Sequence, residues 1–294
     1  MARGVREVRR TRGRGALVAV VLVVACRGDG GARPEPATPE FSPFSEAPTL
    51  TSGAAQAAAP ERLTVRVVAR HPHDPEAFTQ GLLWHEGKLW ESTGLYGRSS
   101  LRRVELASGR VEAQAPVDAR LFGEGLALSG GELVQLTWRE GRALRWSPGA
   151  LALTGEWRYA GEGWGLASDG RRLLQSDGSD RISVRDPSTF AVTGTLNVTD
   201  RGRPVGLLNE LEVVDGALYA NLWTTDEIVR IDPATGKVTA RIDASALRVE
   251  VAERGVGADA VLNGIAWRPE TETFLLTGKL WPTLFEVKLV PAGG

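Results

Sequence analysis

Five short segments of this chain open in the same way, with a polar or aromatic residue directly ahead of a small or apolar one. They are Gln80-Gly81-Leu82, Glu124-Gly125-Leu126, Trp164-Gly165-Leu166, Glu210-Leu211-Glu212 and Asn263-Gly264-Ile265. Successive openings lie 44, 40, 46 and 53 residues apart. A period of roughly 40–50 residues built from short strands is the mark of a β-propeller blade. The expected fold is therefore all-β, a five-bladed β-propeller. In such a fold the starts of the innermost strands converge on one axis. The repeat would then gather Gln80, Glu124, Trp164, Glu210 and Asn263 in one place.

Within each unit three strands can be read directly, and a fourth, outermost one follows. Unit four shows the pattern: Leu211-Glu212-Val213-Val214, then Ala217 to Trp223, then Glu227-Ile228-Val229-Arg230-Ile231, then Lys237 to Ile242. Alternation such as Arg230 against Ile231 has the period of two of a half-buried strand. Turn signals fall between the runs at Glu86-Gly87, Gly130-Gly131, Asp169-Gly170 and Asp215-Gly216. Unit five ends near Val290, before a fourth strand, and residues 63–69 are free to supply it. That pairing would close the ring and leave no open sheet edge. The best helical candidate is residues 243–252, inserted between units four and five. A two-sheet sandwich does not account for a five-fold repeat.

The domain reading is 1–26, 27–61 and 62–294. Residues 1–15 carry six Arg and one Glu, and residues 16–25 are uncharged and apolar. This is the pattern of a secretory signal peptide, too short to span a bilayer comfortably. It ends in Val23-Val24-Ala25-Cys26, which resembles a bacterial lipobox, with Cys26 as the lipidated residue. An ordinary signal peptide containing a Cys is the plainer alternative. Cys26 is the single cysteine in the chain, so no internal disulfide can form. Residues 27–61 are rich in Pro, Ala, Ser, Gly and Thr without hydrophobic period, as expected of a disordered tether. The expected location is outside the cytoplasm, as a periplasmic or cell-envelope lipoprotein or else secreted, with any membrane contact made through that anchor. Net charge is −1 overall, and most of the N-terminal basic excess lies in the leader. No basic stripe survives beyond it, which argues against nucleic-acid binding.

Several strings go beyond the repeat. In order they are residues 73–82 (His73 to Leu82), Phe122-Gly123-Glu124-Gly125-Leu126, Leu136-Thr137-Trp138, Gly163-Trp164-Gly165-Leu166, Leu208-Asn209-Glu210-Leu211-Glu212, Asn221-Leu222-Trp223, Leu262-Asn263-Gly264-Ile265-Ala266 and Thr277-Gly278-Lys279-Leu280-Trp281-Pro282. Taken together the chain resembles the plant and bacterial glutaminyl-peptide cyclotransferases, five-bladed propeller enzymes, over residues 63–290. The resemblance implies cyclisation of an N-terminal Gln to pyroglutamate with release of ammonia, on peptide or protein substrates. No cofactor and no metal are expected, and a monomer is expected.

The resemblance implies Glu124 as the proton shuttle, at an inner strand start beside Phe122, where an apolar wall would raise its pKa. Lys279 would stabilise the oxyanion. Gln80 and Asn209 would hold the substrate carboxamide. Trp138, Trp164, Trp223, Phe78 and Phe122 would wall the pocket. The same residues leave other readings open. Glu124 could pair with a cation in the channel, and Lys279 could be a solvated loop lysine. A calcium-dependent lactonase or esterase could use Glu124, Asn209, Glu210 and Asn263 as oxygen ligands. A non-catalytic surface-binding propeller is a third reading. The His71-Pro72-His73-Asp74 loop is a weak zinc candidate.

Overall fold

The computed structural model describes residues 58–257 and 260–293. Cys26 and the apolar run before it lie outside them. Among the described residues the protein is almost entirely β, with one helix, Ser245–Glu253, where a helix is expected between units four and five. Three four-stranded antiparallel sheets are formed by consecutive strands. Thr79–His85, Lys88–Thr93, Ser100–Glu105 and Arg110–Pro116 make the first. Gly123–Ser129, Glu132–Thr137, Arg142–Ser147 and Ala152–Arg158 make the second. Leu166–Ser168, Leu173–Ser176, Arg181–Arg185 and Val192–Asn197 make the third.

The remaining strands merge into one eight-stranded sheet. Leu208–Val214, Ala217–Leu222, Glu227–Ile231 and Val238–Asp243 form one half. Leu262–Arg268, Thr273–Gly278 and Thr283–Pro291 form the other, completed by Glu61–Pro72 from the far end of the domain. Leu63 lies opposite Pro291 and Pro72 opposite Thr283, antiparallel, which is the pairing anticipated for residues 63–69. The same strand pairs in parallel with the other half, from Glu61 opposite Ala240 to Thr64 opposite Asp243. The first strands of the units pack in a closed succession: Thr79–His85 on Gly123–Ser129, on Leu166–Ser168, on Leu208–Val214, on Leu262–Arg268, and back to Thr79–His85.

The two halves of the sequence repeat have separate jobs. Its apolar residues, Leu82, Leu126, Leu166, Leu211 and Ile265, are all at most 2% exposed. Each belongs to a different one of the five core clusters. Burial of such side chains is worth about 1.5–3 kcal/mol apiece. Its polar residues sit at irregularities. The first strand of four units slips register against its neighbour between Thr79 and Gly81, Gly123 and Leu126, Leu208 and Leu211, and Leu262 and Ile265. A bulge of this kind breaks the in-and-out alternation and re-aims a side chain. Here the re-aimed residues include Gln80, Glu124, Asn209 and Asn263.

The repeated glycines answer a separate demand. A methyl on Gly81 would overlap Leu126 N, one on Gly125 would overlap Leu166 N, and one on Gly165 would overlap the Asn209 carbonyl. Glycine is what lets adjacent first strands approach backbone to backbone. One feature was not anticipated: a two-stranded hairpin, Thr199–Asp200 with Arg203–Pro204, between units three and four.

Candidate active site

Each unit offers two places at one end of the first strands. One is the start of the first strand and the residues just before it, giving Phe78 and Gln80, Phe122 and Glu124, Trp164, and Asn209. The other is the residue or two after the second strand, giving Leu95, Trp138, Trp223 and Lys279. All ten line one cavity of about 250 Å³. Leu95 adopts φ 84°, and Leu207 and Leu280, next in chain or hydrogen-bonded to pocket residues, adopt 63° and 62°. The left-handed region is costly for leucine, and such strain persists where surrounding structure enforces it.

Glu124 is 5% exposed and accepts a 2.9 Å hydrogen bond from Gln80 Nε2. The Gln80 carboxamide is held in turn, its Oε1 accepting from Asn263 Nδ2 at 3.2 Å. Asn263 Nδ2 also donates to the Thr79 carbonyl at 2.9 Å. Burial raises the Glu124 carboxyl well above the ordinary carboxylate range; Lys279 opposes this, while the charges of Glu162 and Glu140 add to it. Lys279 is 6% exposed and makes no ion pair among the described residues. Its ammonium lies 4.8 Å from the centre of the Phe78 ring. Burial lowers its pKa, against the pull of Glu124. Asn209 Oδ1 is buried without a partner, so this amide oxygen is uncommitted.

The walls are aromatic. Phe122 meets Phe78 edge-on at 6.1 Å and Trp138 at 5.6 Å, and Trp164 meets Trp223 at 5.3 Å. Trp223 is 37% exposed, which puts it at the mouth. Behind Trp138 and Trp164 stands Glu162, whose Oε2 accepts from both indole N–H groups, at 2.8 and 3.0 Å. Burial works to raise the Glu162 carboxyl, but hydrogen bonds from Trp164, Trp138 and Arg139 outweigh it and hold the group low.

A buried histidine–glutamate pair braces the strand that carries Gln80 and the loop that carries Lys279. His73 Nδ1 donates to the Trp281 carbonyl at 2.6 Å, and Nε2 meets Glu91 Oε1 at 3.0 Å. Thr79 Oγ1 donates to the same Glu91 oxygen at 2.7 Å. Burial lowers the His73 pKa, yet Glu91 and the Trp281 carbonyl raise it on balance, which favours the protonated ring. His71 instead bonds Glu286 at 3.1 Å. The two histidines of the His71-Pro72-His73-Asp74 loop are thus engaged by different carboxylates, and among the described residues no cluster of three or more His, Cys, Asp or Glu converges.

The chain is similar to several known proteins. Residues 43–289 match the family model described as glutamine cyclotransferase. The chain is 42% identical over 230 residues to a glutaminyl-peptide cyclotransferase of Arabidopsis thaliana, covering 78% of this chain and 72% of that one. It is also 42% identical to the crystal structure of Myxococcus xanthus glutaminyl cyclase, with a TM-score of 0.76, covering 79% of this chain and 99% of that chain. This chain belongs to the glutamine cyclotransferase family.

For a glutamine cyclotransferase family member, the sequence reading of the pocket is close to what the fold assembles. Gln80, Glu124, Asn209, Lys279, Phe78, Phe122, Trp138, Trp164 and Trp223 all line the one cavity. Lys279 is buried rather than solvated, and among the described residues Glu124 has no cation in ion-pair contact. Glu210 and Asn263 are not among the lining residues. The Glu210 carboxylate accepts from Leu82 N at 3.1 Å and Ile265 N at 2.8 Å, tying first strands together. Leu95 and Glu162 were missed. Leu95 follows Gly94 in a loop with no repeat signal, and Glu162 precedes Trp164 by two residues without resembling the other openings.

Proposed function

We propose that this chain is a glutaminyl-peptide cyclotransferase, closing the N-terminal Gln of peptides and proteins to pyroglutamate with loss of ammonia. The observation that carries the reading is a small aromatic-walled cavity. In it a buried carboxyl whose pKa burial raises, Glu124, and a buried lysine with no ion-pair partner among the described residues, Lys279, line the same space. The names of the relatives point to the same reaction.

The chemistry follows from that placement. The substrate α-amine nitrogen bonds to its own side-chain carboxamide carbon, and the carbonyl electron pair moves onto oxygen. Ring closure is favoured because both groups belong to one molecule. Glu124 accepts the proton the amine loses. When the bond to the amide nitrogen breaks, Glu124 returns that proton and ammonia leaves. Lys279 supplies fixed positive charge to the developing oxyanion, in a site where water is largely excluded. Asn209 offers an uncommitted polar group to the substrate carboxamide, together with Gln80, which also orients Glu124. Phe78, Phe122, Trp138, Trp164 and Trp223 pack on the aliphatic part of the substrate side chain.

The scaffold we infer is a five-bladed propeller, with Glu61–Pro72 as the outer strand of the last blade. The closed succession of five first strands supports it. We further infer an exported protein with a leader over 1–26, lipidation at Cys26, a tether from residue 27 that ends ahead of the strand at Glu61, and a monomeric catalytic domain from that strand onward. The basic-then-apolar start and the composition of residues 27–61 support this part. The decisive assay follows ammonia release from a Gln-peptide with and without a chelator. Turnover that persists on chelation is expected, since the polarising charge belongs to Lys279. Absence of ammonia release overturns the reading.

A further inference from the structure

We propose that Glu162 is a positioning residue of this site, whose carboxylate joins the two halves of the aromatic wall and sets the width of the slot that receives the glutamine side chain. The inference rests on the cyclotransferase reading above. The wall can be followed contact by contact. Lys279 lies over Phe78, Phe78 meets Phe122, and Phe122 meets Trp138. On the other side Trp164 meets Trp223. Among the described residues no ring-to-ring contact connects Trp138 with Trp164. The connection is Glu162 Oε2, which takes both indole protons.

The carboxylate is itself fixed. Glu162 Oε1 accepts from Arg139 Nε at 3.0 Å, and the Arg139 guanidinium lies 3.7 Å over the Trp138 ring. The backbone on either side is also held: Gln175 Nε2 donates to the Glu162 carbonyl at 3.1 Å, and Gly163 N to the Trp138 carbonyl at 2.9 Å. Glu162 and Arg139 side chains are 37% and 60% exposed. An ion pair that exposed contributes little alone. The two indole bonds to an anion are the stronger part, because charged acceptors hold donors more tightly than neutral ones. Without them neither indole N–H is held, and Trp138 and Trp164 flank strands of different sheets.

The test separates the bridge from the charge. Glu162→Ala removes both, and KM for a Gln-peptide should rise about ten-fold, the value of one or two charged hydrogen bonds, with a smaller change in kcat. Glu162→Gln keeps an oxygen that both indoles can reach and should recover most of that binding. In a Trp138→Phe, Trp164→Phe background, Glu162→Ala should add no further rise, because phenylalanine has no N–H to hold. Independently of turnover, ¹⁵N-labelled tryptophan spectra should show both indole signals, identified by the single Phe variants, moving on Glu162→Ala. The Trp281 indole signal, bonded to the Ala260 carbonyl, should stay in place. Unmoved indole signals, an unchanged KM in a folded Glu162→Ala protein, or the same KM rise in the double-Phe background would each overturn the proposal. A wild type that releases no ammonia would overturn the reaction assigned above, and the indole signals would still decide the bridge.

Discussion

Glu124 holds a carboxyl that burial largely removes from water, and among the described residues a single hydrogen bond, from Gln80, is its side chain's polar contact. Glu124→Gln keeps the shape but cannot exchange a proton. We expect turnover to fall roughly 10²–10⁴-fold with little change in KM, because the lost contact belongs to the transition state. Steady-state kinetics with a Gln-peptide checks it, and near wild-type turnover would remove Glu124 from the mechanism. The pH profile follows from the same burial. The base must be ionised, so the acid limb of kcat/KM should lie above the usual carboxylate range, where the raised Glu124 pKa puts it. The lowered Lys279 pKa should bring the alkaline limb below the range of a free lysine. An acid limb in the ordinary carboxylate range would contradict the assignment. That these two residues share one cavity was legible in sequence because each sits in a short string of distinctive neighbours. Glu162 was not, since its role comes from two indoles that meet only after folding.

At the level of strands, the opening repeat encodes a bulge, a close approach and a core contact in three consecutive residues. Its apolar member was readable as core by simple alternation. The bulge was not, because period-two patterning contains no signal for an inserted residue. The hairpin Thr199–Asp200 with Arg203–Pro204 was missed for a related reason: two residues are too few to show a period. The glycine of the repeat gives a direct test. Gly165→Ala places a methyl against the Asn209 carbonyl, a backbone atom that cannot swing aside, and should destabilise by about 1–3 kcal/mol in denaturant melts. An unchanged midpoint would mean the strands are not held that closely. The His73–Glu91 brace predicts a pH dependence of stability. The raised His73 pKa means its contribution is full below the unfolded histidine pKa and is lost as pH rises through the folded value. The lowered Glu91 pKa means its contribution is present above the unfolded carboxylate pKa and is lost as pH falls through the folded value. Relative to His73→Gln, the wild-type advantage should therefore peak between the two and shrink on both sides; a flat difference would deny the pair a charge.

At the scale of the whole chain, the start and end of the domain are one structural element. Glu61–Pro72 is hydrogen-bonded on both sides, in parallel to Val238–Asp243 and antiparallel to Thr283–Pro291. Removing it would bare two strand edges at once. A chain beginning at residue 58 should fold and keep its activity, whereas one beginning at residue 73 should be insoluble or molten by near-UV circular dichroism. A soluble, cooperative fold without that strand would show that closure is dispensable. The pairing was legible because unit five lacks a fourth strand and a strand-like run stands ahead of unit one. The parallel seam was not, since the repeat pairs each strand only within its own unit. If Cys26 bears a lipid, the full-length protein expressed in a bacterial host should partition with membranes, and Cys26→Ala should appear in the soluble fraction. Because the cavity is built wholly from residues 78–279, kcat/KM of the two forms in detergent should agree. Equal soluble recovery of both forms would mean that the leader is cut as an ordinary signal peptide and that Cys26 carries no anchor.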